Sequence, residues 1–256
     1  PGTHGPSPTL SVRGTAHRDG AAWRATAEVS LDHVAFADLP LLWPEGLGTG
    51  ERAWITGNIT AGTVTGGRVR LAATLDPASG TVEPTALAGE IAAEGASVHY
   101  LRPMPPVAGV AATATIALDK VVVVTRGGAL GAIRTTDATI VLSGLDAPTQ
   151  WADIAVRIES PLPAALDLLA HPKLGLFARR GPPPKGITGE GELDLALRFP
   201  LLDALTVDGI EARARAEASR AAMPEVVLGR SITEGHFTLE ADQDGMKIEG
   251  TGRLAG

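Results

Sequence analysis

The chain has 256 residues, of which 44% are hydrophobic and 20% are charged, so it can bury a sizeable core and is not disordered over most of its length. The net charge of -7 and the pI of about 5.4 argue against a nucleic-acid partner, because phosphate binding requires a basic face. The absence of cysteine excludes disulfides, thiolate metal sites and cysteine nucleophiles.

The dominant pattern along the chain alternates apolar with polar residues, which predicts β-strands with one apolar face. The alternation is unbroken from Trp23 to Asp32 and returns at 193–199 and 210–217. The segment 210–217 consists of good helix formers, but a helix would scatter its charges around the whole circumference, so a strand is favoured. Further strands are predicted at 8–17, 54–64, 68–75, 86–101, 108–118, 119–126, 129–134, 136–142, 152–159, 225–229, 231–241 and 246–254.

Short turn sequences separate these strands, which favours antiparallel hairpins over parallel crossovers. The turn sequence at 242–245 begins like a calcium loop, but Arg253 stands at the twelfth position instead of the required Glu, so a hairpin turn is favoured. The turn sequences are Arg18-Asp19-Gly20, Thr65-Gly66-Gly67, Asp76-Pro77, Asp208-Gly209 and Asp242-Gln243-Asp244-Gly245.

Few helices are expected. Leu162, Leu166 and Leu169 have the spacing of one buried helical stripe, which predicts a short helix at 162–170. Residues 50–55 are compatible with a single helical turn. The Pro-rich residues 181–186 are the best candidate for a joint between a β-groove segment at 1–180 and further strands of the same sheet at 187–256.

No sequence motif points to catalysis, a metal or a cofactor. The six histidines, at positions 4, 17, 33, 99, 171 and 236, lack metal-ligand spacing, and the chain has neither a nucleophile elbow nor a phosphate-binding glycine loop. An enzyme would therefore require polar groups that converge from distant strands. We expect a non-enzymatic protein without a cofactor.

Three stretches carry a family signal: LLWPEG at 41–46, followed by RAWI at 52–55 and NITAG at 58–62; VHYLRPMPPV at 98–107; and GEGELDLALRFPL at 189–201. In this order they resemble the central region of the AsmA-like, YhdP-type envelope proteins, over roughly residues 40 to 205. The resemblance implies long β-sheets curled into a groove with an apolar floor. It also implies a periplasmic segment of an inner-membrane-anchored protein that carries phospholipid between the two membranes of Gram-negative bacteria.

The alternation itself agrees with such a groove. A strand with one apolar face needs a second sheet, a helix layer or a bound lipid to cover it, and the helices are too few to cover about fourteen strands. Alanine, with 42 residues, supplies little bulk for the interior of a sandwich. We therefore expect a mainly β fold, an elongated, curved antiparallel sheet that forms a groove, with one or two short helices.

The residues predicted to line the groove share the apolar face of their strands. They are Trp23, Val29, Leu31, Leu193, Leu195, Leu197, Phe199, Ile210, Phe237, Leu239 and Ile248. Arg179, Arg180 and Lys185 are candidates for contact with lipid headgroups, although the simpler explanation, a solvated loop, is favoured.

The expected partners are phospholipid acyl chains and adjoining segments of the same parent chain. Membrane contact is expected only through parts outside this chain, because its longest apolar run, residues 103–118, is too short and too interrupted by proline to span a bilayer. The alternative function is a structural or adhesive β-module of the cell envelope that binds a protein partner through its strand edges.

Overall fold

A computed structural model describes residues 5–45, 49–172, 185–202, 209–227 and 229–255. These residues form one antiparallel sheet of 14 strands and three short α-helices, which confirms the predicted mainly β fold class. The strands are β1 (Leu10–Asp19), β2 (Ala22–Leu31), β3 (Val34–Ala35), β4 (Ile59–Asp76), β5 (Thr81–Val98), β6 (Val107–Ala117), β7 (Lys120–Arg126), β8 (Ala129–Leu130), β9 (Ile133–Ser143), β10 (Trp151–Pro161), β11 (Thr188–Pro200), β12 (Glu211–Val227), β13 (Arg230–Ala241) and β14 (Met246–Ala255). The helices are α1 (Leu39–Leu42), α2 (Thr49–Asn58) and α3 (Leu162–Leu169), and Phe36–Asp38 form a 3₁₀ turn.

The order of the strands in the sheet follows the order of the chain. It runs β1-β2-β4-β5-β6-β7-β9-β10-β11-β12-β13-β14, while β3 pairs with β4 and β8 pairs with β6 and β9. This order is the expected result of short turns between consecutive antiparallel strands. The chain divides into two compact units, which are described separately below. The first unit comprises 1–99, 107–125 and 139–152, and the second comprises 100–106, 126–138 and 153–256.

The first unit has a small closed core at one end of its strands. Leu39 of α1 and Ile55 of α2 pack against this core, which lies where β4 begins and β5 ends. Arg52 of α2 fixes α1 by donating hydrogen bonds to the main-chain oxygens of Trp43 and Pro40, at 3.0 and 2.9 Å. The buried residues of the core are Val34, Phe36, Val64, Ala93, Ala96 and Val110.

The second unit is also closed at one end, where α3 lies against β11. A Cβ at Gly191 would lie 3.0 Å from Cδ2 of Leu162, so the glycine allows the helix to approach the strand. Ser160, near the end of β10, is buried and lies two residues before α3 in the sequence. Ala221 of β12 is also buried, with 1% of its surface exposed. Helix α3 confirms the helix predicted at 162–170.

A line of β-bulges crosses three consecutive strands in each unit. In the first unit the bulges contain positive-φ glycines on β4, β5 and β6; in the second they contain a glycine on β11 and non-glycine residues on β12 and β13. Bulges bend a strand and increase its local twist, so they turn the strand ends toward the buried residues beside them. The positive-φ residues are Gly62, Gly95 and Gly109 in the first unit and Gly189, Arg220 and Glu234 in the second.

Several local predictions were wrong. The strand predicted at 129–134 is interrupted by a turn at 131–132, between β8 and β9, and the residues predicted as a separate strand from 225 belong to β12 as far as 227. Residues 54–58 belong to α2 rather than to a strand: Ile55 packs against the closed core, and the Thr56 hydroxyl donates to the main-chain oxygen of Arg52 at 2.7 Å. The predicted turn at 65–67 lies inside the continuous strand β4, where the register shifts at Gly66 and Gly67 pairs with Ile91. By contrast, the hairpin predicted at 242–245 is present, with the amide of Asp242 donating to the main-chain oxygen of Gly245 at 3.0 Å. The segment 211–217 is also a strand, as predicted.

Candidate functional site

The predicted residues of the first unit lie on one face of β2, within continuous apolar rows that cross the sheet. Val29 is paired with Val12 of β1 on one side and with Val69 of β4 on the other. Trp23 lies six residues before Val29, and therefore three periods of the alternation away on the same face, and is paired with Leu75 of β4. A second row contains Leu10, Leu31, Gly67 and Ile91.

The predicted residues of the second unit are brought together by the register of four strands. Leu193 of β11, Leu239 of β13 and Ile248 of β14 belong to one row, which is completed by Ala216 of β12. The next row contains Leu195, Ala214, Ala241 and Met246. Six of the predicted lining residues therefore share one face of this unit: Leu193, Leu195, Leu197, Phe237, Leu239 and Ile248.

Two predicted residues lie at the margin of this face. Phe199 follows Leu197 by the two-residue period near the end of β11 and is half-buried. Ile210 directly precedes β12, is half-buried, and its main-chain oxygen accepts a hydrogen bond from Nε2 of Gln243 at 3.2 Å. This bond connects the start of β12 to the β13–β14 turn.

The apolar faces are open at most of the predicted lining residues, although Leu31 also packs against the closed core of the first unit. None of the eleven residues is buried: Trp23 is 39% exposed, Ile248 is 56% exposed, and the others are half-buried. Buried apolar side chains such as Phe36 and Val110 occur instead at the closed core. In each unit, the alternating strands thus leave apolar surface in contact with solvent over the parts that lie away from the bulges.

Several residues on these faces were not predicted. Leu10 and Val12 of β1 are 62% and 61% exposed, and Met246 of β14 is 56% exposed. Their strands were predicted. Met246 lies two residues before the predicted lining residue Ile248, so the two-residue period of β14 was the signal that could have found it. The register of the β1–β2 hairpin, fixed by the turn at 18–20, was the signal that could have revealed Leu10 and Val12.

The opposite face of each unit is polar and carries exposed ion pairs. In the first unit Glu28 accepts from Arg70 at 2.6 Å, and this hydrogen bond holds the pKa of Glu28 below its usual value. In the second unit Arg157 contacts Asp194 at 2.9 Å, which raises the pKa of Arg157. The two faces of these strands therefore differ sharply in chemistry.

A shallow depression of about 460 Å³ lies on the first unit, around the Glu28–Arg70 pair. Most of its lining side chains belong to the polar face, including Arg13, Thr15 and Thr26. Glu28 and Arg70 within it are paired with each other, and the depression is separate in chemistry from the apolar rows described above.

The basic cluster predicted to meet headgroups is described only in part. Lys185 is exposed, whereas Arg179 and Arg180 lie outside the described residues. Contact between this cluster and lipid headgroups stays a prediction.

Other kinds of site find no support in the described part of the chain. There, no group of three or more histidine, aspartate or glutamate side chains is placed to hold a metal ion. Every buried polar side-chain atom among these residues has a hydrogen-bond partner. None of the described helices combines the length and the apolar character needed to cross a bilayer.

No protein-family model, curated protein or solved structure matches this chain. The resemblance to the AsmA-like, YhdP-type proteins therefore rests on the three sequence stretches alone. What the fold and the site define is a class: a mainly β protein with open apolar sheet faces.

Proposed function

We infer that this chain is a non-enzymatic segment of a bridge-like envelope protein that carries phospholipid between the inner and outer membranes. The single observation that supports this function is the open apolar face, on which eleven predicted lining residues are half-buried or exposed. Contiguous apolar surface on an open sheet face favours a role in contact with an apolar ligand. Acyl chains would cover that surface.

The chemistry of the face suits acyl chains without a specific headgroup contact. Burial of each CH₂ group is worth about 0.8 kcal/mol, so a chain of ordinary length is held by the hydrophobic effect alone. In the second unit, Ala212, Ala214 and Ala216 of β12 form a low floor beside the leucines of β11. The ion pairs lie on the opposite face and do not obstruct a sliding apolar chain.

The periplasmic location, the inner-membrane anchor in the parent protein and the adjoining parent segments are part of this proposal. They follow from the resemblance in sequence at 41–62, 98–107 and 189–201. The acidic net charge of -7 supports the view that nucleic acid is not a partner.

A pair of photocrosslinking variants tests the proposal on one strand. A photoreactive residue at Leu195 lies on the apolar face, whereas one at Ala196, paired with Arg213, lies on the polar face. We expect phospholipid adducts at position 195 and few or none at 196 when the protein is expressed in a Gram-negative envelope. Equal labelling at both positions, or no lipid adduct at position 195, would contradict the proposal.

Native mass spectrometry of the purified chain gives an independent measure of occupancy. Leu195→Glu places a charge on the apolar face and should abolish co-purified phospholipid. Ala196→Glu adds the same charge one residue away on the solvated face and should leave occupancy unchanged. A wild-type protein that is always empty contradicts the proposed function.

The structural or adhesive module remains the second candidate because β1 and β14 each have an unpaired edge in the described part of the chain. All ten residues of β1 and all ten of β14 are exposed, and a free strand edge is a template for a further strand. A photoreactive residue at Thr15 of β1 that captures a specific envelope protein, together with no lipid adduct at Leu195, would favour this candidate.

A further inference from the structure

Strand β14 forms a border of the sheet in the described part of the chain, where it pairs with β13. All ten of its residues are exposed, and Met246, Ile248 and Leu254 are each more than half exposed. Its outer row of main-chain hydrogen-bonding groups therefore faces solvent, together with an apolar side and a charged side.

We propose that β14 pairs in antiparallel fashion with β14 of a second copy of this chain, with Thr251 on the two-fold axis. In this register, Thr251 of one copy faces Thr251 of the other. Every other residue faces the partner residue that is equally far from position 251 in the opposite direction along the strand. Nine residues of each strand, 247–255, face one another. Directly opposed residues of an antiparallel pair point to the same side of the sheet, so the apolar sides of the two copies coincide.

The charges of β14 are self-complementary in this register. Glu249 faces the partner's Arg253, and by symmetry Arg253 faces the partner's Glu249. Opposite charges across an antiparallel pair are favourable, and like charges are unfavourable. Both side chains already lie on the polar side, where Glu249 contacts Lys247 and Arg253 contacts Glu234, each at 3.0 Å. These contacts are more than 60% exposed and therefore weak, so they do not prevent the new pairs.

The apolar side is also matched. Ile248 faces the partner's Leu254, so the two most exposed branched side chains of the strand cover each other. Gly250 faces the partner's Gly252, which leaves room there for side chains of β13 that already lie over these positions: a Cβ at Gly250 would overlap the ring of Phe237, and one at Gly252 would lie 2.6 Å from Cγ2 of Ile232. Bulky pairs alternate with open positions, and no steric conflict arises.

Neighbouring registers and the other free edge fit less well. Centring the pair on Gly250 places Lys247 opposite the partner's Arg253, and centring it on Glu249 places two glutamates opposite each other. On β1, the face-preserving pairings of nine residues are centred on Gly14 and on Thr15. The first sets Leu10 against the partner's Arg18, the second sets Val12 against it, and neither forms an ion pair. The charge pattern therefore selects β14 and selects one register.

This pairing goes beyond the proposed function because it needs no lipid. It would, however, extend the apolar row of one copy into the next. The row that contains Leu239 and Ile248 of one copy would continue with the partner's Leu254 and Ile232, because Ile232 of β13 pairs with Leu254 of β14. Two apolar faces would become one surface.

Cysteine crosslinking of the intact chain tests the register directly, because the wild type contains no cysteine. Thr251→Cys brings two cysteines to the axis with Cα atoms about 4.5–5.5 Å apart, within the range for a disulfide. Lys247→Cys is the matched control on the same side of the strand, since the two copies of residue 247 would lie about 26 Å apart. We expect a covalent dimer under mild oxidation for Thr251→Cys and none for Lys247→Cys. No dimer at 251, or equal dimer at both positions, overturns the proposal.

Charge reversal tests the ion pairs by sedimentation velocity. Arg253→Glu and Glu249→Arg should each weaken dimerisation by about tenfold or more, because each creates two like-charge oppositions. The double variant restores both opposite-charge pairs between copies and should recover most of the affinity. Circular dichroism controls for folding. A wild type that stays monomeric at all concentrations, or a double variant no better than the single ones, overturns the inference.

Lipid occupancy is read separately through the Leu195 photocrosslink. A monomeric protein that still labels lipid at 195 rejects only the β14 pairing. A dimer that never labels lipid rejects only the proposed function.

Discussion

Gly62 lies so close to the backbone of Ala96 that a Cβ at residue 62 would be 2.6 Å from both the nitrogen and the Cα of Ala96. The second unit repeats this relationship: a Cβ at Gly189 would lie 2.9 Å from the Cα of Ala221 and 3.1 Å from its nitrogen. Both glycines have positive φ, +97° and +127°. The bulges that bend the strands toward each closed end thus depend on a glycine at the same local position.

Gly62→Ala and Gly189→Ala should each lower the free energy of unfolding by about 2–4 kcal/mol. The reason is that strain at positive φ adds to a clash with main-chain atoms that cannot rotate away. Urea unfolding gives the measurement. Gly80→Ala is the matched control, because Gly80 has a φ of +71° but nothing within 4 Å of its Cβ position, and it should lose only about 1 kcal/mol. Equal losses for all three variants would show that the close approach is unimportant.

Arg220→Gly should stabilise the protein, by up to about 1 kcal/mol, because Arg220 holds a φ of +50° at the bulge of β12 and glycine tolerates this conformation. Arg213→Gly in the same strand should have the opposite sign, since residue 213 belongs to the regular ladder opposite Ala196 and glycine weakens a strand there. Thermal melts of the two variants provide the comparison. Destabilisation by both substitutions would contradict the assignment of strain to residue 220.

Phe36→Ala should cost about 3–5 kcal/mol, the usual range for a phenylalanine in a closed core, because Phe36 is 7% exposed. Leu195→Ala should cost less than about 2 kcal/mol, since a half-buried leucine on an open face leaves no cavity when truncated. Unfolding in urea measures both values in lipid-free protein. A loss at Leu195 as large as that at Phe36 would mean that the apolar face is filled like a core.

Acid should weaken the attachment of β1 through Asp32. Oδ1 of Asp32 accepts hydrogen bonds from the amides of Thr9 and His33, at 2.7 and 2.6 Å, and these bonds lower the pKa of Asp32 from its usual 3.8 to about 2. Because the folded pKa is depressed, the stabilisation is complete above about pH 4 and is lost as the pH falls toward 2. His33 also contacts this oxygen through Nδ1 at 3.0 Å.

The variant Asp32→Asn provides the check. The difference in urea midpoint between wild type and Asp32→Asn should be constant from pH 7 to pH 5, because Asp32 is ionised in both the folded and the unfolded chain over this range. It should then shrink as the pH falls from 4 to 2, and amide exchange should show earlier opening of Thr9. A difference that is independent of pH across this window would rule out the carboxylate as the anchor.

The faces of individual strands could be predicted from the sequence, because the two-residue period of a strand is a local property. The alternation around Val29 and Leu195 was sufficient to place each residue on the apolar side, and the turn chemistry at 242–245 was sufficient to predict a hairpin. Helix α3 was likewise predictable from the spacing of Leu162, Leu166 and Leu169. These patterns need no knowledge of distant residues.

Only the tertiary structure decided which apolar residues become neighbours, because register depends on pairing between strands that are far apart in sequence. Leu193, Leu239 and Ile248 form one row only because Ala216 of β12 lies between Leu193 and Leu239. The closed core also determined that residues 54–58 are helical, since packing of Ile55 outweighed the strand preference of the segment. Gly66 and Gly67 resemble a turn in isolation, but pairing with β5 holds them inside a continuous strand. Local chemistry thus sets the direction of each side chain, and long-range pairing sets what surrounds it.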